Sequence, residues 1–213
     1  ELQQAALAMG EMAIREGIEV RLNTKVTTEL IEEIAPAEVI SAIGSEPIKL
    51  NIPGAELPHV TNSHEVLSGK AMPKGNVVII GGGLVGLEVS EYINGKVGNI
   101  TVVEMLDQVA KDLGQLRKIC VMEGLYHAGV KTITNAKCVE IKDNAVILDK
   151  EGTLEEISCD SVVVAIGARS RSSEELKAYC EKNHIGYHVI GDAVRARRAL
   201  NSTAEAAVVA RAI

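Results

Sequence analysis

The stretch Asn76-Val-Val-Ile-Ile-Gly-Gly-Gly-Leu-Val-Gly86 decides the fold, because an apolar strand runs directly into a glycine-rich turn that opens a helix. The run Val77 to Ile80 is typical of a fully buried parallel strand. Gly81, Gly83 and Gly86 have the G-x-G-x-x-G spacing. The first glycine permits the tight turn, the second lets the backbone approach a pyrophosphate, and the third lets the helix pack closely on the strand. The sequence therefore predicts a dinucleotide site at this turn.

The predicted pyrophosphate site is the helix start, where unpaired backbone amides face the ligand. The predicted binding run is Gly81, Gly82, Gly83, Leu84, Val85 and Gly86. A second apolar strand, Ile100 to Val103, ends in Glu104, eighteen positions beyond Gly86. A carboxylate at that distance accepts hydrogen bonds from the adenosine ribose hydroxyls. No arginine follows at positions 105–107, so the sequence favours NAD(H) over NADP(H). The alternative is that the glycines only make a tight turn and Glu104 is a solvated strand end.

Composition excludes several classes of protein. The 213 residues are 46% hydrophobic, which is enough for a packed core, and the net charge of −7 with scattered basic residues argues against a nucleic-acid partner. No apolar run approaches the ~20 residues that span a bilayer. We therefore expect no membrane partner and a cytoplasmic location. The four cysteines form no C-x-x-C pair and no zinc-ligand spacing, so no metal site is predicted.

Helix and strand patterns extend on both sides of the glycine-rich turn. Upstream, they predict a helix over Leu2–Arg15, strands over Ile18–Leu22 and Glu38–Ala42, and a short helix near Asn62–Ser68. Downstream, they predict helices over 84–93 and 113–128, β-like runs at 130–134, 136–142 and 145–149, and a strand over 160–165. The alternation at 138–141 favours a half-exposed antiparallel arm.

A short motif occurs twice. The strand at 38–42 runs into Ala42-Ile43-Gly44, and the strand at 160–165 runs into Ala165-Ile166-Gly167. A glycine at the carboxyl end of a strand lets backbone approach a ligand in the crevice there, although each glycine alone could be only a turn residue. The repetition indicates two related nucleotide-binding units.

These motifs in this order resemble the pyridine nucleotide-disulfide oxidoreductase superfamily, the two-dinucleotide flavoproteins. The resemblance also includes Tyr187-His-Val-Ile-Gly-Asp192, and it implies that Asp192, with Gly191, bonds the ribitol of FAD. Ile43 and Gly44 would be cofactor-binding residues of the same FAD half. Ile166 and Gly167 would line the nicotinamide side of the NAD crevice. The alanine-rich carboxyl-terminal end looks most like the FAD/NAD-binding module of NADH:flavin oxidoreductases such as 2-enoate reductase and 2,4-dienoyl-CoA reductase.

The resemblance implies an α/β fold in which a Rossmann-like NAD-binding domain (74–168) is inserted in a truncated FAD-binding domain (1–73 and 169–213). Two parts of the family pattern are missing from this sequence: the amino-terminal FAD fingerprint and the redox-active cysteine pair. We therefore expect a fragment whose partners include the missing amino-terminal domains of a parent chain. The full-length protein would bind FAD, whereas this fragment would bind it poorly or not at all. The uncovered apolar faces and strand edges suggest a homo-oligomer.

The expected function is binding of NAD(H) and, in the full protein, hydride transfer from NADH to FAD. The cofactors carry that redox step, so no catalytic side chain is predicted. Glu88 matches a frequent family glutamate, and it could equally be a solvated helix position. The alternative function is a nucleotide-binding or docking module that holds NAD or ADP without turnover.

Overall fold

The computed structural model describes residues 2–111 and 113–213. The helices in this part of the chain are α1 (Leu2–Arg15), α2 (Thr28–Ile34), α3 (Ser63–Leu67), α4 (Leu84–Ile93), α5 (Gln115–His127), α6 (Glu174–Lys182) and α7 (Ala199–Ala212), with a 3-10 turn at Gly191–Ala193. The strands are β1 (Glu38–Ser41), β2 (Ser45–Pro47), β3 (Val60–Asn62), β4 (Val77–Ile80), β5 (Ile100–Val103), β6 (Lys131–Ile133), β7 (Lys137–Lys142), β8 (Ala145–Lys150), β9 (Thr153–Ser158), β10 (Ser161–Val164), β11 (Ala168–Ser170) and β12 (Gly186–Val189).

The described chain divides into two compact units. One contains the residues up to Ser41 together with Ser173–His188, and the other contains Ala42–Ser172 together with Val189–Ile213. These units are defined by how compactly the chain packs, whereas the predicted domains were defined by the cofactor that each would bind. The predicted domain segments 1–73, 74–168 and 169–213 therefore remain predictions.

The smaller unit contains α1, α2 and α6 and the pairing of β1 with β12. Nε2 of His188 lies 2.9 Å from Oε2 of Glu38, and the Ser41 and Ser173 hydroxyl oxygens lie 3.3 Å apart. Ile31 of α2 is buried within it. The first contact joins β12 to β1, and the second joins the end of β1 to the residue before α6.

The larger unit is built on a five-stranded parallel sheet in the order β3-β10-β4-β5-β6. The two neighbouring strands β4 and β10 are buried at every position, as the apolar runs at 77–80 and 162–164 predict. Burying each Val or Ile side chain in such a strand contributes about 1.5–3 kcal/mol. The α/β fold class predicted from the sequence is confirmed.

Alternate residues of the central strands enter two separate cores. Val77 and Ile79 pack with Leu87 and Val89 of α4 on one face, and Val78 packs with residues of the antiparallel sheet β7-β8-β9 on the other. The sheet therefore lies between a helical layer and a second sheet. The carboxyl ends of its parallel strands form one common edge, and the predicted nucleotide residues follow these ends.

One predicted strand is wrong. The stretch Ile18–Leu22 has no strand conformation, and Ile18, Val20 and Leu22 are all exposed. A strand needs a neighbouring strand for its backbone groups, and within the described residues no strand pairs with this stretch; the Ile18 N–H donates instead to the carbonyl of Ala13 at 3.1 Å. Its alternating pattern was misleading because the apolar side chains do not face a core.

Candidate functional site

The glycine-rich turn follows β4 directly. Gly81 has φ +109°, in the region that favours glycine, and its N–H donates to the carbonyl of Val103 at 2.8 Å. A Cβ at Gly81 would overlap the carbonyl of Ala165, just beyond β10. The turn therefore lies between the carboxyl ends of β5 and β10, the two strands that flank β4.

Gly86 and Gly83 have different environments. A Cβ at Gly86, in the first turn of α4, would overlap the carbonyl of Gly81, so this glycine allows the helix to approach the turn closely. Gly83 is the N-cap of α4 and has φ −73° and ψ −176°, a conformation open to any residue. A Cβ there would meet nothing within 4 Å. Open space therefore lies at the helix start, where no side chain caps the first amides of α4.

Glu104 follows β5 and is 9% exposed. Its Oε2 accepts the N–H of Gly82 at 2.7 Å, and its Oε1 accepts the N–H of Leu106 at 2.9 Å. The carboxylate therefore faces the glycine-rich turn and bonds to it. An ionised carboxylate has about four acceptor positions, so two backbone donors leave acceptor capacity for a ligand hydroxyl.

The segment after Glu104 folds back onto the turn, which sequence reasoning missed. Ala110 donates its N–H to the carbonyl of Gly82 at 2.8 Å, and both Val109 and Ala110 are buried. A Cβ at Gly82 would lie 2.6 Å from Cγ1 of Val109, which gives the middle glycine a packing role. The signal in the sequence was the apolar pair Val109-Ala110 between the polar residues Gln108 and Lys111. Turn, carboxylate and loop thus form one hydrogen-bonded assembly.

The two Ala-Ile-Gly motifs meet in space. They lead into β2 and β11, which pair antiparallel, and the ion pair of Glu46 with Arg169 at 2.7 Å joins the two strands. Gly44 has φ +72° and its carbonyl accepts from Arg171, while Gly167 has φ +100° and its carbonyl accepts from Ile48, both at 3.0 Å. The repeat noticed in the sequence therefore corresponds to a two-stranded ribbon that both motifs enter.

A cleft of about 560 Å³ lies beside this ribbon. Its walls include the ends of β3 and β10, and its lining includes Ile48, Thr61, Asn62, Glu65 and Val164. Ile43 is 42% exposed and Ile166 is partly buried against the core of the antiparallel sheet. The cleft thus lies between the ribbon and the carboxyl ends of β3 and β10.

The predicted Gly191-Asp192 site is a 3-10 turn before α7. Gly191 has φ +65° and donates its N–H to Oε2 of Glu205 at 2.8 Å, and Oδ1 of Asp192 accepts the N–H of Arg197 at 3.2 Å. A cavity of about 440 Å³ lies here, lined by Ala42, Ile190, Gly191, Asp192, Arg197, Ala199, Ser202 and Thr203. This lining brings Ala42 of the first Ala-Ile-Gly motif close to Gly191, while the glycine-rich turn is not part of it.

Other candidate groups lie outside these sites. Glu88 is exposed on α4. All four cysteines are free; Cys120 is exposed, and burial raises the pKa of Cys138 and of Cys159 to about 11. Within residues 2–111 and 113–213, no cluster of His, Cys, Asp and Glu has the arrangement of a metal site. In the same residues, no helix combines the length and apolar character needed to cross a bilayer.

The glycine turn, the buried carboxylate and the parallel sheet between a helical layer and a second sheet define a protein of the α/β class with a Rossmann-like fold. The model of the family described as pyridine nucleotide-disulphide oxidoreductase matches residues 15–199, and the chain belongs to this family. The superfamily resemblance drawn from the sequence motifs is thereby confirmed.

Individual relatives have longer chains. The chain is 38% identical to NADH oxidase of Thermoanaerobacter brockii over 84% of its own length and 28% of that protein. It is 30% identical to cinnamate reductase of Clostridium sporogenes over 83% of its length and 26% of that protein. A solved 2-naphthoyl-CoA reductase in complex with 2-naphthoyl-CoA has 27% identity and a TM-score of 0.79, covering 91% of this chain and 29% of that one. The chain therefore spans less than a third of each of these relatives.

Proposed function

We propose that this chain binds NAD(H) across the carboxyl edge of its parallel sheet. The adenosine ribose lies on Glu104, the pyrophosphate lies on the amides of Gly83, Leu84 and Val85, and the nicotinamide lies toward Gly167. The observation that carries the proposal is the open space at Gly83, because a glycine with an ordinary conformation and no packing neighbour leaves room for a ligand.

The order of the strands in the sheet supports the proposed direction of the dinucleotide, from the adenosine ribose at Glu104 to the nicotinamide near Gly167. Glu104 follows β5, the glycine-rich turn follows β4, and Ala165 to Gly167 follow β10, which are three neighbouring strands. Neighbouring strands lie about 4.8 Å apart, so these points cover about 10 Å of the edge. A dinucleotide in an extended conformation passes them in this order.

We further propose that the full-length protein holds FAD at the Gly191-Asp192 cavity and is a flavin-dependent NADH oxidoreductase. The hydrogen-bonding groups around this cavity fit the hydroxyl and phosphate groups of FAD. Asp192 can accept hydrogen bonds from hydroxyl groups, and the Ser202 hydroxyl and the backbone amides at the uncapped start of α7 can donate them. When bound, the two cofactors supply hydride transfer from nicotinamide to flavin. The residues of this chain bind and orient the nicotinamide, and the turn and the Val109-Ala110 segment exclude water on the adenosine side.

Titration of the purified chain with NADH, NADPH and ADP tests the nucleotide site. NADH should bind more tightly than ADP and more tightly than NADPH. Equal binding of ADP and NADH would favour a docking module that holds a nucleotide without using the nicotinamide.

The selectivity test is Glu104→Ala, compared with Glu104→Gln, which keeps an oxygen acceptor near the turn. Both remove the charge that repels a 2′-phosphate, so both should narrow the affinity gap between NADH and NADPH. An unchanged ratio in two folded variants would show that Glu104 does not meet the ribose. Binding must be measured well below the melting temperature, because Glu104 also bonds two backbone amides.

A further inference from the structure

Arg197 is held at three points on the wall of the Asp192 cavity. Its main-chain N–H donates to Oδ1 of Asp192 at 3.2 Å, its Nε donates to the carbonyl of Arg195 at 3.2 Å, and its Nη2 pairs with the carboxylate of Glu205. The Arg197 and Glu205 side chains are 31% and 30% exposed. These bonds fix the Arg197 side chain in place.

Glu205 connects two parts of this region from its position on α7. One oxygen of its carboxylate bonds the Gly191 amide and the other pairs with Arg197. The hydrogen bond from Arg197 and that from Gly191 lower the pKa of Glu205, so it is ionised near neutral pH. Its charge therefore balances that of Arg197.

The cavity lining contains two charged side chains, Asp192 and Arg197. Asp192 lies five residues before Arg197 and already bonds its main chain. A guanidinium released from Glu205 would find this carboxylate as its nearest acid within the lining. That pairing would occupy the acceptor oxygens that a ligand hydroxyl needs.

We propose that Glu205 is a positioning residue that keeps the Arg197 guanidinium away from the Asp192 carboxylate, so that this carboxylate retains acceptor capacity for the hydroxyl groups of a polyhydroxylated ligand. Under the function proposed above, on which this identification of the ligand rests, the ligand is the ribityl chain of FAD. The role of Glu205 itself depends only on the side chains of Glu205, Arg197 and Asp192, so it can be tested without a flavin.

The test uses Glu205→Gln, the double variant Glu205→Gln with Arg197→Gln, and Glu19→Gln as a control. Glu19 pairs with Arg21 at 2.7 Å on an exposed surface, so the control removes a glutamate charge from another arginine pair. The first measurement is carbodiimide labelling of Asp192 in the ligand-free chain, quantified by mass spectrometry. The second is FAD affinity, from quenching of flavin fluorescence.

In Glu205→Gln, Asp192 labelling should fall severalfold and FAD affinity about tenfold, as expected for losing one hydrogen bond to a charged acceptor. Removing Arg197 as well should restore both, whereas the control should match the wild type. A purely structural role through the Gly191 bond predicts no such restoration.

The proposal is overturned if Asp192 labelling is the same in Glu205→Gln and the wild type, or if the double variant labels as slowly as the single one. A different result separates the two proposals: if labelling follows the expected pattern but the wild type binds no FAD, the role of Glu205 is supported and the flavin assignment fails for this chain.

Discussion

Two alanine substitutions in the glycine-rich turn should separate binding from stability. Gly83 has an ordinary backbone conformation and free space beside it, so Gly83→Ala meets no steric conflict in the protein. Alanine is a poorer N-cap than glycine but lowers the entropy of the unfolded chain, and these effects of up to about 1 kcal/mol oppose each other. The melting temperature should therefore stay within about 4 °C of the wild type.

Gly86→Ala should behave differently, because its Cβ would overlap the carbonyl of Gly81 and force α4 away from the turn. Overpacking of this kind costs about 1–3 kcal/mol. For a chain of this size the melting temperature should fall by about 2 to 12 °C.

The binding result decides the argument. The methyl group of Gly83→Ala would enter the space proposed for the pyrophosphate and remove at least one backbone hydrogen bond to a charged phosphate, worth about 1.5–3 kcal/mol. NADH affinity, measured by calorimetry, should therefore fall at least about tenfold in a fully folded variant. Gly114→Ala is the matched control, since Gly114 is also an uncapped N-cap with free space beside it, at α5. Unchanged NADH affinity in Gly83→Ala would refute a dinucleotide on this turn.

Three further predictions concern other parts of the molecule. Gly54→Ala should lower the free energy of unfolding by at least about 1 kcal/mol more than Gly69→Ala. Both glycines have positive φ, but only a Cβ at Gly54 would overlap a carbonyl, that of Ile141. Equal urea midpoints of the two variants would contradict this prediction. With a thiol reagent at pH 8, Cys120 should react rapidly and the three buried thiols only after unfolding; rapid reaction of more than one thiol would count against the described packing. Because Arg197 lowers the pKa of Glu205, their pairing stabilises the fold above the ordinary glutamate pKa and is lost as the pH falls through the lowered value. Acidification should therefore reduce the urea midpoint more in the wild type than in Glu205→Gln, and parallel declines would show that the pairing adds no stability.

The central part of the fold could be predicted because local pattern and tertiary environment agree there. The bounds predicted for β4, α4 and β5 are those in the structure, since buried parallel strands give continuous apolar runs and the glycine spacing fixes the helix start. The strands β2, β9 and β11 were not predicted. They are short or carry charged residues, and their pairing partners define them rather than their own composition.

In the candidate site, too, local patterns predict some residues and tertiary contacts define the others. The glycine spacing and the distance to Glu104 indicate backbone geometry directly, so those residues could be named from sequence. The contacts of Val109 with the turn and of Glu205 with Gly191 connect residues that no local pattern relates. Such contacts depend on how a loop or a helix returns to the site, which one sequence does not encode in a readable spacing.

The position of β10 affects how the protein is made. This strand is the last of the parallel sheet in chain order, yet it lies between β3 and β4. During translation the glycine-rich turn leaves the ribosome long before β10, because the antiparallel sheet β7-β8-β9 is synthesised between them. Until then β3 and β4 lack their common neighbour, and the Ala165 carbonyl that borders Gly81 does not yet exist. A nascent chain thus carries the complete glycine motif for about eighty residues of synthesis before the sheet that supports it can close.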